Sequence, residues 1–569
     1  MIEMLVRMKY LGLGKNIYNS NVTELTIDDN GNYEWTTCLT ERLTRKKWAG
    51  DWPKLALEKL DVTSKHYEGI AENRDITTPK FMEDLYQKKG LFYELIKNNK
   101  LDRFCSYFNK ELQFIPHHLA HAFSAMALMP YKEALILAMD GGGNALDEYI
   151  DGPFERFGNG RGENIEHTTL FHWNGSTLEP LHQEVLKYRE YSGITKKLSE
   201  GIGSYYEKVA ELIFNDNLSS GKVMGLAAFG KSSYQFEDNL TLQRNIDWSQ
   251  SYRGQSKKEW QQSPDLNYWK DQASTVQEAF ETNLMRVLGI IEQRSLNHLP
   301  LVFTGGCALN CTANYKLYKK KVLPEIFIPP NPGDEGISLG LAFGKAYIDH
   351  KLVPQVRGYE IQTSAFGMIE DWSQKKELFK NFHCYELKGF KKVAEILKSG
   401  EVVAWFQGRS ECGPRALGHR SLLVRPDRPG VKDELNRTIK FREDFRPYGA
   451  TILWEEGHHY FEIEKGFQNP FMSFATPVNQ EHRELLKEVT HIDGTCRMQT
   501  VMKGQNENFY SLIKTCFELG MPPILLNTSL NIMGEPIVES PEDALNFLSN
   551  SVVKYLVYND LLISKVELR

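Results

Sequence analysis

Four residues far apart in the chain have the chemistry to hold one divalent cation. His117 and His121 stand four apart after Pro116, so on a helix both imidazoles leave one face, close enough to share an ion. Asp140 follows the apolar run Leu135–Met139 and precedes Gly141-Gly142-Gly143, and Asp334 follows Asn331-Pro332-Gly333 beyond a second apolar run. Both aspartates therefore end a candidate strand at a glycine turn, where side chains collect at one sheet edge. Two imidazoles with one or two carboxylates and no thiolate suit Fe(II), Mn(II) or Zn(II) over a structural zinc. Two histidines at this spacing serve equally well as core or capping residues, and the strand-end aspartates favour ligation. His118 lies on a different helical face.

A second constellation has the opposite charge. Gly408–Ser421 carries Arg409, Arg415 and Arg420 among glycines that cannot build a helix face; Lys440, Arg442 and Arg446 follow, then Arg497 and Asn527. Arginine forks pair bidentately with phosphate oxygens, while lysine acts as a compact point charge. Several of each on shaped loops would hold a small polyanion beside a nucleoside triphosphate. Interleaved glycines and prolines argue against the alternative of surface salt bridging. The turns at Gly141-Gly142 and Gly305-Gly306 would let backbone amides approach a phosphate, although a tight turn uses the same residues. Lys222 adds a charge that fits an anion or solvent equally well.

These groups need elements to place them. The pattern predicts strands at 8–14, 135–139, 301–304 and 325–328, a hairpin near 170–176, and helices at 53–62, 81–98, from 117 onward, at 203–215 and near 268–297. Strands alternating with helices, with glycine turns at strand ends, indicate α/β layering, with ligands beyond the carboxyl ends of the strands. A domain boundary is expected between 350 and 395. No internal repeat or low-complexity tract is visible in the sequence.

At 569 residues the chain exceeds one ordinary core, so two large domains or three smaller ones are expected. No apolar run approaches the roughly 18 residues of a membrane span. The N-terminus lacks a signal-peptide core, and the eight cysteines form no CxxC pair. A cytoplasmic protein with reduced thiols and no membrane partner is the expectation. The net charge of −6 weighs against wholesale nucleic-acid coating.

The segments His117–Ala122, Asp140-Gly141, Gly221–Ala228, Thr304–Asn310, Asn331–Gly340, Gly408–Ser421, Asn436–Arg446, Asp493–Val501 and Asn527–Pro536, in this order, resemble the nodulation and antibiotic O-carbamoyltransferase family. The resemblance implies an α/β chain with two parts. Residues 1–360 would form a duplicated actin-like (ribonuclease H-like) domain similar to the tRNA threonylcarbamoyltransferase. Residues 361–569 would form a domain like the synthase of threonylcarbamoyl-adenylate. It implies that ATP and carbamoyl phosphate give carbamoyl-adenylate and pyrophosphate in the second part, and that the first part passes the carbamoyl group to a hydroxyl. Arg415, Lys440 and Arg446 would act in activation and bind carbamoyl phosphate with Arg497 and Asn527. Gly141, Gly142, Lys222, Gly225, Gly305, Gly306 and Asn310 would lie at the nucleotide. His117, His121, Asp140 and Asp334 would hold a divalent metal, Fe(II) by the resemblance, with Mg accompanying ATP.

Two departures concern the acceptor. Family members carry a His-Asp pair where this chain reads Asn16-Ile17-Tyr18-Asn19-Ser20-Asn21, and the stretch 145–167 is longer than expected. A small-molecule hydroxyl on a sugar, aminocyclitol or polyketide is the first reading of the acceptor. A hydroxymethylated nucleobase such as 5-hydroxymethylcytosine, in a nucleotide or in DNA, is the second, and a non-catalytic nucleotide-dependent scaffold the third. Hydrogenase-maturation proteins, which also use carbamoyl-adenylate, carry CxxC zinc motifs absent here. A monomer and a homodimer are both compatible with the sequence.

Overall fold

A computed structural model describes residues 7–14, 19–47, 49, 53–73, 112–143, 165–186, 188–191, 194–197, 201–234, 263, 265–356, 358, 363–369 and 376–568. The helix expected at 81–98, the loop residues 16–18 and most of the 145–167 stretch lie outside them.

Two five-stranded sheets build the first part. One contains β1 (Met8–Gly14), β2 (Asn21–Ile27), β3 (Tyr33–Leu39), β4 (Gly69–Glu72) and β5 (Leu112–Phe114) in the order β3-β2-β1-β4-β5. The other contains β6 (Ala134–Met139), β7 (Ile165–Trp173), β8 (Leu178–Leu186), β11 (Leu301–Thr304) and β12 (Ile326–Phe327) in the order β12-β11-β6-β7-β8. A further hairpin joins β9 (Tyr188–Tyr191) to β10 (Ile194–Lys197). In each large sheet the first three strands pair antiparallel, and the last two join the first in parallel. One unit is therefore built twice. The central strands β6 (ALILAM) and β11 (LVFT) are buried along their whole length, as strands covered on both faces must be.

The helices are α1 (Thr40–Thr44), α2 (Lys54–Lys59), α3 (His117–Leu128), α4 (Ile202–Phe214), α5 (Ser220–Ala227), α6 (Leu266–Gln293), α7 (Cys311–Lys319) and α8 (Ile337–His350). The first of the two α/β repeats is followed by α3 and the second by α8, and these helices cross in backbone contact. A Cβ on Gly340 of α8 would stand 1.8 Å from the Ala120 carbonyl of α3, so no residue larger than glycine fits. Phe123, Met126, Leu339 and Phe343 fill the core around the crossing. On the far side of the second sheet, α4 and α6 bury Tyr205, Val209, Phe280 and Val287 against Leu135 and Leu137.

The second part is a nine-stranded mixed sheet, β13-β21-β20-β14-β15-β19-β16-β18-β17. Its members are β13 (His383–Glu386), β14 (Val403–Phe406), β15 (Arg420–Val424), β16 (Gly449–Leu453), β17 (Ala475–Pro477), β18 (Thr495–Val501), β19 (Ile524–Ser529), β20 (Tyr555–Tyr558) and β21 (Leu561–Ser564). The two-residue period of β14 sends Ala404 and Phe406 into one core and Val403 and Trp405 into the other.

The two parts touch through built contacts. Cys412, Leu417, Phe471 and Met472 join the core of the first part. Asn314 donates to the Ser473 carbonyl at 3.0 Å, and the Tyr315 hydroxyl to the Glu462 carbonyl at 3.0 Å. Gly413 approaches the Pro330 carbonyl so closely that a Cβ would lie 2.2 Å from it.

Candidate functional site

The four expected metal ligands converge. Pro116 starts α3 and sets His117 in its first turn, so His117 and His121 project together, with Nε2 atoms 3.1 Å apart. Asp140 Oδ2 lies 3.0 Å from His121 Nε2 and 3.6 Å from His117 Nε2; Asp334 Oδ1 lies 3.3 Å from His117 and 3.5 Å from His121. All four donor atoms fall within 4.8 Å of one another. An ion with ligands at about 2.0–2.2 Å in tetrahedral array sets its donors roughly 3.3–3.6 Å apart, so the tetrad fits a first-row divalent metal. Both histidines are buried. Burial alone would lower the His117 pKa, but the carboxylates of Asp140 and Asp334 outweigh it and raise it to about 10; His121 is raised for the same reasons. Concentrated negative charge is what a cation site supplies.

Glycine turns aim the carboxylates. Gly306 N–H donates to Asp140 Oδ2 at 3.1 Å and Gly141 N–H to Oδ1 at 2.6 Å. Gly305 has φ +88, and a Cβ there would lie 2.2 Å from the Met139 carbonyl, so only glycine fits. Gly305 N–H and the Thr304 hydroxyl both donate to the Pro332 carbonyl, at 2.7 and 3.1 Å, tying the end of β11 to the Asp334 turn. Asn21 completes the frame: its amide donates to the Asp334 carbonyl at 2.9 Å and accepts from Ser338 N–H at 3.0 Å. His118 points elsewhere, toward Thr169 Oγ1 at 2.9 Å.

The remaining expected nucleotide residues divide. Gly141, Gly142, Gly305 and Gly306 border the metal tetrad. Asn310 is committed to structure, capping α7 by accepting from Ala313 N–H at 3.1 Å and exchanging two hydrogen bonds with Gln277. Lys222 and Gly225 lie on α5, away from the glycine turns. Lys222 Nζ is 3.4 Å from Glu443 Oε1, and the Cα of Gly225 faces Pro447 and Phe445. Both therefore border the cationic segment of the second part.

Within that segment Arg420 is spent on structure, donating to the Gln407 and Gly408 carbonyls. Arg415 makes no hydrogen bond or ion pair among the described residues. Burial and then the guanidinium of Arg497, with Arg446 behind it, push its pKa down to about 9, against the opposing pull of Cys311 and Glu335. Lys440 Nζ is gripped by the Ser529 carbonyl and hydroxyl, by the Asn531 carbonyl at 3.0 Å and by Asn531 Oδ1 at 2.7 Å. Burial and then Arg442 and Arg446 hold its ammonium well below the usual lysine range. Arg446 meets Glu443 at 3.5 Å. Asn527 donates to the Ala416 carbonyl at 3.1 Å and to Thr451 Oγ1 at 2.8 Å, fixing the backbone beside Arg415.

Two positioning residues, Glu411 and Arg42, have no sequence signal of their own, and Arg409, expected in the cationic constellation, ties the two parts together instead. Glu411 Oε1 accepts from Leu417, His419 and Arg420 N–H at 2.8, 2.8 and 3.2 Å, which shapes the Arg415 loop. Arg409 reaches the first part, donating to the Trp35 carbonyl at 2.7 Å and Thr36 Oγ1 at 2.8 Å. Arg42 answers from the first part, donating to the Gly413 carbonyl at 2.9 Å.

Comparison with known proteins finds a family match for each of the two parts. The family description "Carbamoyltransferase N-terminus" matches residues 64–343 and "Carbamoyltransferase C-terminus" matches residues 394–565. The nodulation protein NolNO of Sinorhizobium fredii is 32% identical over 80% of this chain, which spans 64% of its length. An uncharacterised Synechocystis protein is 30% identical over 80% of this chain and 76% of its own. The 3'-hydroxymethylcephem-O-carbamoyltransferase of Amycolatopsis lactamdurans is 29% identical over 61% of this chain and 65% of its own. Among solved structures, HypF of T. kodakarensis overlays 61% of this chain and 49% of its own at 11% identity, with a TM-score of 0.31. No helix of the described residues is long and apolar enough to cross a membrane. The chain, matched along both of its parts, belongs to the carbamoyltransferase family.

Proposed function

We propose that this chain is an ATP-dependent O-carbamoyltransferase with two linked sites, the donor being activated in residues 361–569 and transferred in residues 1–360. The observation that carries the reading is the cationic cluster in which, after burial, Arg497 and Arg446 lower the basicity of Arg415 and Arg442 and Arg446 that of Lys440, in a chain that also assembles a His-His-Asp-Asp tetrad. Like charges held this close favour a polyanion that neutralises them. The duplicated strand order of the first part supports an actin-like reading of that domain.

In the second part, water would open carbamoyl phosphate to carbamate and phosphate. A carbamate oxygen would attack the α-phosphorus of ATP, expelling pyrophosphate and leaving carbamoyl-adenylate. The arginine forks bind and orient phosphate oxygens, and the fixed ammonium of Lys440 offsets charge that builds on them. In the first part the acceptor hydroxyl would attack the carbamoyl carbon and AMP would leave, the hydroxyl proton passing to solvent. His117, His121, Asp140 and Asp334 would hold the divalent metal, Fe(II) by resemblance, which supplies Lewis acidity and charge neutralisation at the adenylate phosphate. Gly305, Gly306 and Gly141, packed beside the tetrad, are where we expect the nucleotide to approach it.

A small-molecule hydroxyl is the acceptor class we infer, in keeping with the cephem hydroxymethyl group named for a relative. Wild-type protein is expected to release pyrophosphate from ATP only when carbamoyl phosphate is present, and Arg415→Ala or Lys440→Ala to abolish the release. Normal release in both variants would sink the assignment.

A further inference from the structure

A helical hairpin of the first part packs on the turn of the second part that carries Arg446. Helix α4 begins against the metal turn, where a Cβ on Gly203 would stand 2.5 Å from the Asp140 carbonyl. Its 13 residues carry the chain about 20 Å to Phe214. The Phe214 ring stacks on Phe445 of the second part, with centroids 6.2 Å apart and planes at 27°. Helix α5 then brings in Lys222, whose ammonium lies 5.2 Å from the centre of the Phe214 ring and 3.4 Å from Glu443 Oε1. Three residues on, a Cβ at Gly225 would stand in ordinary contact with Pro447 and Phe445, at 3.6 and 3.8 Å. The hairpin is therefore fixed at one end by the metal turn and at the other by residues 443–447.

The turn it meets is closed by Arg446 N–H donating to the Glu443 carbonyl at 3.2 Å. The two side chains leave this turn together, with Arg446 Nη1 3.5 Å from Glu443 Oε2. Glu443 is buried, and its oxygens meet different cations, Oε1 the ammonium of Lys222 and Oε2 the guanidinium of Arg446. Burial would raise its pKa, but the charges of Lys222 and then Arg446 outweigh it and hold the carboxyl below its usual value. The Arg446 side chain is 34% exposed against 9% for Glu443, so the arginine, not the carboxylate, is open to a ligand. A carboxylate behind an anion-binding arginine competes with the anion for the guanidinium. A second cation on the same carboxylate offsets its charge and weakens that competition.

We propose that Lys222 is a positioning residue for Arg446: it holds Glu443 Oε1, so that Arg446 can leave Oε2 and fork onto the phosphate oxygens of a polyanion in the cationic pocket. Lys222 thus serves a pocket of the second part from the first part, and does so through Glu443 without touching the ligand. The inference rests on the reading that this pocket takes a polyanion. Without Lys222 the carboxylate has Arg446 as its one close cation, and for a partly exposed pair this competition is expected to cost about three- to tenfold in anion affinity.

The test is a double-mutant cycle on the full chain, read by calorimetric titration with inorganic pyrophosphate. Lys222→Met keeps an apolar stem over Phe214 and is expected to raise Kd about three- to tenfold. Lys222→Arg keeps the cation and is expected to stay within about twofold of wild type. In a Glu443→Gln chain no carboxylate competes for Arg446, so adding Lys222→Met should change Kd by less than about twofold. An equal loss in both backgrounds would mean that Lys222 meets the anion itself or merely packs the hairpin, and would overturn the proposal. Unchanged affinity in Lys222→Met, or as large a loss in Lys222→Arg, would overturn it too. Wild type that binds no pyrophosphate refutes the polyanion reading and the positioning role with it, whereas binding that ignores Lys222 refutes the positioning role alone. Carbamoyl-phosphate-dependent pyrophosphate release is measured on the same proteins. Wild type that binds pyrophosphate but releases none refutes the carbamoyl-activation reading, and the cycle still decides the role of Lys222.

Discussion

Arg415 is expected to be costly to the empty protein and necessary to the loaded one. With the pKa pushed down to about 9 by burial and by Arg497 and Arg446, the guanidinium is still charged at neutral pH. A base whose folded pKa lies below its unfolded value costs stability at every pH under the folded value, and the cost fades only as pH climbs toward the unfolded one. From 12.5 to about 9, at about 1.4 kcal/mol per tenfold change, the ceiling is about 5 kcal/mol. Arg415 is half-buried, and water screens part of this repulsion, so about 1–2 kcal/mol is the expected cost. Arg415→Gln removes the charge and keeps a polar side chain of similar reach. The variant is expected to unfold at higher urea concentration than wild type without ligand, and to gain little from pyrophosphate. Wild type at a hundredfold excess over Kd should gain about 2.7 kcal/mol. Urea unfolding of both proteins with and without pyrophosphate checks both signs. A variant less stable than wild type when empty, or equally stabilised by pyrophosphate, would refute the charge-repulsion argument.

Other expectations are separable from this one. His121→Ala removes a ligand atom 3.0 Å from Asp140 Oδ2; bound metal should fall by elemental analysis and transfer should stop while pyrophosphate formation continues. Equal loss of both steps would argue against separate sites. Gly340→Val places a side chain where a Cβ already meets the Ala120 carbonyl at 1.8 Å. It should cost more than about 3 kcal/mol or prevent folding, and lower metal content by displacing α3; wild-type melting would count against the helix crossing. The Glu184 carboxyl is held at about 2, the hydrogen bonds from His182 and Arg286 outweighing burial. Its stabilisation is present above its unfolded pKa and lost as pH falls toward the folded one. Glu184→Gln should therefore melt lower than wild type at pH 6 and approach it as pH drops to 3, and a gap that widens with acid would reverse the assignment.

The metal tetrad was legible because each ligand has a local sign. The i, i+4 histidines follow a proline start, and Asp140 directly follows β6, whereas β12 ends at Phe327 and Asp334 lies in a separate turn that the Pro332 carbonyl ties to Gly305. Helix and strand extents came within a few residues, with the 268–297 helix observed at Leu266–Gln293 and the 325–328 strand shortened to Ile326–Phe327. The duplicated strand order was not legible. Strand pairing is specified by burial and register, and β1 (MKYLGLG) and β6 (ALILAM) occupy equivalent places with little sequence in common.

Tertiary contacts that no sequence pattern announces set the surroundings of other residues. Lys222 belongs beside Glu443 because α5 packs on the second part, and Asn310 is held by Gln277, 33 residues away. Arg42 and Glu411 work through backbone carbonyls and amides, whose side-chain identity leaves no pattern to read, and Arg409, grouped by sequence with the anion-binding arginines, donates instead to the Trp35 and Phe366 carbonyls. The run Thr44-Arg45-Lys46-Lys47 reads as a solvated tail until Arg42 and Arg45 are seen anchoring its helix to the far half. A chain whose halves contribute to one another's sites has a physical reason to keep both on one polypeptide, since separating them would leave the Arg415 loop without the Arg42 guanidinium that holds Gly413.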